Sequence, residues 1–304
     1  MNNKVVIIGC GNVGMSYAYS LLNQRTYVNE LVLIDINKEK ALGEAMDLNH
    51  GLSFAPSKID IKAGSYSDCR DAKIVVIAAG ANQNVGETRM DLIYKNNYIF
   101  KNIVEQVMFN GFKGIFIIAT NPVDVMTYVT WKYSKLDSNR VIGSGTTLDS
   151  SRLRYEISKE LDISPKNVHA YVIGEHGDTE FVPWSNATIG LTDINEFIEK
   201  EKRDMIEDKV RNMAYDIIKK KGNTSYGIGM SMTRITNAIL GNENTILTVS
   251  SYDKKNDVFV GGPTILNQNG VNKRLFIPLT IDEETKLTHS INTLKDAINK
   301  LDIK

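Results

Sequence analysis

Four short runs in the first half of the chain are apolar at nearly every position: KVVIIG (4–9), LVLID (31–35), KIVVIAAG (73–80) and KGIFIIAT (113–120). They lack the apolar–polar alternation of a strand with one wet face, so the pattern predicts strands buried on both faces of a parallel sheet. Helix-compatible stretches, including 14–25, 37–49 and 90–110, lie between them. Strand–helix alternation of this kind predicts a doubly wound α/β lobe, with RVIGSG (140–145) as its last strand.

The second half has a different rhythm. Residues 148–161 fit a helix. NVHAYVIGEHGD (167–178) and TEFVPWSNATIG (179–190) fit strands joined by a loop. Residues 196–222 have apolar positions at helical spacing and a charged opposite face, which predicts a long amphipathic helix on the surface. A further helix is expected over about 225–240, paired strands over 245–252 and 257–266, and a closing helix over 281–302. No repeat or low-complexity segment interrupts the chain. The expected division is 1–145 for the first lobe and 146–304 for the second, closely packed because no flexible linker separates them. At 304 residues the chain exceeds the roughly 250–300 at which single cores tend to divide.

Composition narrows the function classes. Thirty-six basic residues balance thirty-six acidic ones. That balance gives no support for a broad nucleic-acid or membrane-surface interaction. No segment approaches the roughly 20 apolar residues of a membrane span, and the apolar run at the N-terminus is too short for a signal peptide. The only cysteines are Cys10 and Cys69. A disulfide framework is not expected, a reducing compartment fits, and the location is read as cytoplasmic. Cys10, inside a glycine-rich turn, reads as a small filler. No metal site is expected, since none of the histidines (His50, His169, His176 and His289) has a histidine or cysteine at a familiar ligand spacing.

The turn GCGNVG follows the first strand and places Gly9, Gly11 and Gly14 for dinucleotide binding. The first glycine permits a tight turn, the second admits a pyrophosphate to the backbone, and the third lets helix pack on strand. The motif alone is weak evidence and also describes an ordinary turn. Asp35, 21 residues after Gly14, ends the second strand. A carboxylate there accepts hydrogen bonds from a ribose 2′-hydroxyl and repels a 2′-phosphate, which favours NAD over NADP. His176 in IGEHGD is a candidate acid or base, although a lone histidine is more often structural. Asp149 and Arg152 in TTLDSSRLR are three residues apart on one helix face. They read either as a surface ion pair or as an orienting acid beside a carboxylate-binding arginine. Asn121 in TNPVD is expected at the carboxyl ends of the strands, where open sheets bind ligands, or else merely in a helix-starting turn.

These motifs together resemble the L-lactate dehydrogenases, most closely the bacterial ones. GCGNVG, the Asp35 strand, GANQNVGETRMDL, ATNPVDVMTYVTWK, GSGTTLDSSRLR and NVHAYVIGEHGDTE stand in that family's order and spacing. KKGNTSYGIGMSMTRITNAIL and NTILTVSSY carry the likeness through nearly the whole chain. The first strand is expected to begin at residue 4, so no N-terminal arm like that of the animal enzymes is expected. The chain departs from the family pattern in NVGE, where many relatives have a proline before the glycine, and in NTSYG.

The resemblance implies a Rossmann-type NAD domain followed by an α+β catalytic domain that interconverts pyruvate and L-lactate. It makes His176 the proton donor and acceptor, Asp149 its partner and Arg152 the substrate-carboxylate anchor. It makes Arg89 the arginine of a loop that closes over substrate, and it adds Gln83, Asn121, Asp124 and Thr224 to the substrate contacts. Gly9, Gly11, Val13, Gly14, Asp35, Lys40, Tyr66, Gly80, Ala81 and Asn121 would line the NAD site. Arg154 and His169 would bind fructose 1,6-bisphosphate at a subunit interface of a homotetramer. Malate dehydrogenases share the catalytic set and usually carry arginine at the position of Gln83. An arginine facing pyruvate's methyl group would be a desolvated, unpaired charge, so Gln83 favours lactate over malate. Other 2-hydroxy acids, and a noncatalytic NAD-binding role, are the remaining alternatives.

Overall fold

The structure, a computed structural model, describes residues 2–81, 89–301 and 303. An eight-stranded sheet runs through it. Its parallel part contains β1 (Lys4–Ile8), β2 (Glu30–Ile34), β3 (Asp60–Ala63), β4 (Ile74–Ile77), β5 (Ile115–Ile118) and β6 (Val141–Gly143). The helices that alternate with them are α1 (Asn12–Asn23), α2 (Lys38–His50), α3 (Arg89–Phe109) and α4 (Val123–Ser134). α5 (Thr147–Leu161) opens the second half, followed by β7 (Val168–His169), β8 (Thr188–Ile189), β9 (Thr192–Asp193), α6 (Lys200–Lys221) and α7 (Tyr226–Leu240). β10 (Thr245–Leu247), β11 (Ser250–Asp253), β12 (Val258–Gly261), β13 (Thr264–Asn267), β14 (Gly270–Arg274) and α8 (Ile281–Asn299) complete the described elements.

The strand order is β12-β11-β6-β5-β4-β1-β2-β3. β1 pairs with β2 on one side and β4 on the other, so the chain order reverses beside it. A ligand crevice belongs outside the carboxyl ends of the strands at such a reversal. Every residue of β1, β4 and β5 is buried, as continuous apolar runs require. β3 is different: it is a polar edge strand in which only Ile61 is buried, too weak a pattern to be predicted. α4 also shows no amphipathic stripe. It is buried from Val123 to Thr130, and a helix enclosed on most sides needs no polar face there.

The sheet continues beyond β6 because β11 pairs antiparallel with β6, through Ser250 opposite Gly143, and β12 pairs with β11. The two halves interlock through their cores as well. Met232, Ile235 and Ile239 of α7 pack with Tyr17, Leu21 and β1 on one face of the sheet. Ile291 and Leu294 of α8 join Phe100, Val104 and Met126 on the other.

The expected long strands over 167–190 are corrected by the structure. Only β7 and β8 pair there, with one isolated bridge between Ile173 and Phe181. The backbone in between is satisfied by side chains. Ser150 Oγ accepts the Val172 N–H at 2.9 Å, and the Val172 carbonyl accepts from Thr146 Oγ1 at 2.7 Å. The long surface helix begins at Lys200 rather than at 196, after a single 3-10 turn at Ile194–Glu196 that buries Ile194.

Candidate active site

Gly145 and Thr146 turn the chain from β6 into α5. Gly145 has φ +53°, and a Cβ there would strike the backbone of Val249 and Ser250. The tight turn sets Asp149 and Arg152, one helical turn apart, against the loop that carries His176. Asp149 is 1% exposed and holds both neighbours: Oδ2 lies 2.6 Å from His176 Nδ1, and Oδ1 accepts from Arg152 Nη1 at 2.7 Å. The pair is therefore not a surface ion pair. Arg152 spends one donor on Asp149, and its guanidinium carries further donors for a second anion.

Three elements fasten the His176 loop. Gly174, at φ +98°, bridges to Gly261 of β12. The Glu175 N–H donates to Ser290 Oγ of α8 at 2.5 Å, and the His176 N–H donates to Asp124 Oδ2 of α4 at 2.8 Å. With Nδ1 held by Asp149, Nε2 is the nitrogen left for a reacting partner, and the ring is 21% exposed. Burial alone would lower the His176 pKa, but the Asp149 carboxylate, with help from Glu180, holds it well above its ordinary value. Burial pushes Asp149 in the opposite direction, and the charges of His176 and Arg152 outweigh that to keep it low. The site thus stabilises an imidazolium.

The resemblance grouped Asp124 with the substrate contacts. Here its carboxylate is 1% exposed and occupied with the His176 backbone, and burial raises its pKa to about 6. Asn121 follows β5 and is exposed at the carboxyl end of the sheet. Its carbonyl accepts from Asn96 Nδ2 at 3.0 Å, while Asn96 Oδ1 accepts the Ala81 N–H at 2.8 Å. The buried Asn96 of α3 therefore joins two loops of the crevice. No sequence motif marks it, because it reads as one polar residue within an amphipathic helix.

At the reversal of strand order, Gly9 has φ +106° and backs onto Ala79, where a Cβ would lie 2.5 Å from the backbone nitrogen. A Cβ on Gly14 would collide with the Gly9 carbonyl, whereas one on Gly11 would meet nothing within 4 Å. Gly11 therefore faces open space at the N-terminus of α1, which has no side-chain cap and no acid in its first turn. Those free N–H groups suit a pyrophosphate. Asp35 stands beside them and accepts the Cys10 N–H at 2.7 Å and the Asn37 N–H at 2.9 Å. A dinucleotide fits this arrangement. Val13 and Tyr66 are half-buried, and Lys40 and Gly80 are exposed. Cys10 is fully buried, as a filler would be, and burial pushes its thiol to about 12.

The sequence matches the lactate/malate dehydrogenase NAD binding domain over residues 3–143 and the family's alpha/beta C-terminal domain over 146–303. The chain belongs to the lactate/malate dehydrogenase family. It is 53% identical to L-lactate dehydrogenase 2 of Bacillus cereus, over 97% of each chain. It is also 53% identical to an L-lactate dehydrogenase of Bacillus velezensis, over 97% of this chain and 96% of that one. A lactate dehydrogenase from a Medee basin deep-sea metagenome library superposes with TM-score 0.95 at 52% identity, covering 98% of both chains. The ligands-bound form of the minor L-lactate dehydrogenase of Enterococcus mundtii gives TM-score 0.96 at 45% identity, covering 100% of this chain and 99% of that one. The resemblance read from the motifs is thereby borne out, as are the Rossmann-type fold and the NAD cofactor.

Some expected residues stand outside this cluster or outside the described residues. Gln83 and the rest of 82–88 lie outside the described residues, and Arg89 is described only as the first residue of α3. Thr224 is half-buried just ahead of α7. On the far side of α5, Arg154 packs against the segment after β7: its Nε donates to the carbonyl of Ala170 at 3.1 Å and its guanidinium lies 4.9 Å from the Tyr171 ring. His169 itself is exposed. Arg154 also lines a cavity of about 410 Å³ together with Lys166, Tyr171 and Arg234.

Proposed function

We propose that the chain interconverts pyruvate and L-lactate with NAD as the redox partner, and that His176 holds the proton exchanged with the substrate oxygen. The observation that carries the reading is Asp149 bound at once to His176 Nδ1 and to Arg152. Nicotinamide supplies the hydride when bound. Arg152 offers its unused donors to the substrate carboxylate and so orients the ketone toward His176. In pyruvate reduction, protonated His176 donates from Nε2 to the ketone oxygen as that oxygen gains charge. Asp149 keeps the imidazole in the tautomer that exposes Nε2 and stabilises its charged form. Lactate oxidation reverses the steps and starts from neutral His176. Arg89 is assigned to stabilising the charge on the oxygen, and Gln83 to facing the substrate methyl group.

The test is NADH absorbance with pyruvate and, separately, with oxaloacetate. Pyruvate is expected to be turned over with the higher kcat/KM. A preference for oxaloacetate would replace this reading by malate dehydrogenation.

Regulation belongs to the same reading. Arg154 and His169 are assigned to fructose 1,6-bisphosphate, with the basic lining of the neighbouring cavity as support. Two such clusters facing across a two-fold axis of a homotetramer suit a ligand with two phosphates. Among the described residues no helix is long and apolar enough to cross a membrane. The two buried, free cysteines suit a reducing compartment, and the cytoplasm is the location proposed.

A further inference from the structure

Glu180 lies four residues beyond His176, across the turn closed by its own N–H to the Gly177 carbonyl at 3.3 Å. The turn folds its side chain back under the imidazole. Its Oε2 stands 3.7 Å from His176 Nδ1, the nitrogen already bound by Asp149. One atom from each of Asp149, His176 and Glu180 lies within 4.8 Å of the others. Glu180 is 4% exposed, and Oε2 has no hydrogen-bond partner among the described residues. A buried carboxyl oxygen without a hydrogen bond weakens a fold, and an apolar side chain of the same size would fill the space at lower cost. Packing therefore gives no reason for an acid at this position.

We propose that Glu180 is a positioning residue for proton transfer, whose buried carboxyl takes up and releases a proton in opposition to His176 and so sets the pH range over which His176 stays protonated. The inference rests on the assignment of His176 as acid and base.

Charge balance supports it. The Asp149 carboxylate and the Arg152 guanidinium cancel. An imidazolium at His176 is then neutralised by an ionised Glu180, and a neutral imidazole by a protonated one. Either state leaves the four side chains without net charge, which a poorly solvated site favours. When His176 gives its proton to the ketone oxygen, Glu180 takes one from solvent, and the reverse reaction returns it. Burial, and then the Asp149 charge, raise the Glu180 pKa to about 8.

The other charged groups around it are already engaged. On α5, Arg152 is bound to Asp149. On α6, Arg211 donates to the Glu180 backbone carbonyl while paired with Glu207 and Asp208. On α4, Asp124 holds the His176 backbone. In the loop itself, Glu175 accepts from Thr179, and Asp178 accepts from Tyr215 of α6.

The experiment compares the parent with Glu180→Gln, which keeps the shape and removes the titration, and with Glu180→Asp, which restores a carboxylate at a greater distance. The first measurement is the pH profile of kcat/KM for pyruvate. In Glu180→Gln the alkaline limb is expected to move down by at least about half a pH unit, roughly threefold in activity on that limb, with the acid plateau within about twofold of the parent. Glu180→Asp should fall between the two. A purely structural role would lower the whole profile without moving the limb.

The second measurement needs no turnover: NMR titration of His176 is expected to show a lower imidazolium pKa in Glu180→Gln. Superimposable limbs and an unchanged His176 titration overturn the proposal, even in a fully active enzyme. A parent that does not reduce pyruvate, but whose His176 titration still responds to Glu180→Gln, would sink the reaction assignment and leave the coupling standing.

Discussion

His176 and Asp149 hold each other's charge, and that mutual dependence has two measurable consequences. His176→Ala removes the proposed proton donor while leaving Asp149 on Arg152 and the nucleotide crevice intact. Turnover of pyruvate is expected to fall by about 10²–10⁴-fold or more, with NADH affinity within a few-fold of the parent. Steady-state kinetics beside NADH fluorescence titration check this, and near-parental turnover would remove His176 from the chemistry.

The pair also couples stability to pH. The His176 pKa is raised in the folded state, so its contribution is complete below its unfolded value of about 6.5 and is lost as pH rises through the folded value. The Asp149 pKa is lowered, so its contribution is present above about 3.8 and is lost as pH falls through its folded value. Thermal melts from about pH 5 to pH 10 should show the parent's advantage over His176→Ala shrinking on the alkaline side.

At the scale of elements, the site depends on side chains that join one loop to another. Asn96 of α3 spans Ala81 and Asn121 through two hydrogen bonds and is fully buried. Asn96→Ala would leave a backbone donor and an acceptor unpaired at the mouth of the crevice, at a cost of about 1–3 kcal/mol. Urea denaturation should show that loss together with weaker NADH binding. Unchanged affinity would mean that the two loops are set by other contacts. The segment around His176 obeys the same logic. Its apolar residues suggest strands, yet Ser150 and Thr146 of the α5 region take the hydrogen bonds of Val172. Periodicity registers the burial of such a segment but not the identity of the partner that satisfies its backbone.

At the scale of the whole molecule, the two halves share one sheet and two cores, so the His176 loop and the nucleotide crevice are parts of a single packed body. β11 and β12 reach the sheet from late in the chain, and Gly261 of β12 bridges to Gly174 beside His176. The proposed effector site, on the other side of α5, would communicate through that helix. Under the proposed regulation, fructose 1,6-bisphosphate is expected to lower the pyruvate KM and to stabilise a tetramer, and Arg154→Gln is expected to abolish both effects while leaving effector-free turnover within about twofold. Saturation curves and sedimentation, each with and without millimolar effector, decide this. Identical results in the parent with and without effector would remove the regulatory reading and leave the catalytic one untouched.

What the sequence determined by itself was local. Gly9 and Gly14 belong where a Cβ has no room, and Asp35 belongs at the end of a strand. The apolar runs of β1, β4 and β5 could be read because strands buried on both faces have no polar positions to obscure them. The residues proposed to carry the chemistry were visible as motifs, and their likeness to a family supplied the proposed roles. The tertiary structure decided which of them meet. That Asp149 of α5 reaches His176 and that Asp124 of α4 turns to the His176 backbone are consequences of packing among segments far apart in the chain, and they fix the local turn that brings Glu180 beside the imidazole. A hydrophobic pattern names the face that will be buried. The partner on that face, and the loss of solvent that shifts a proton's affinity, exist only after distant elements have closed over it.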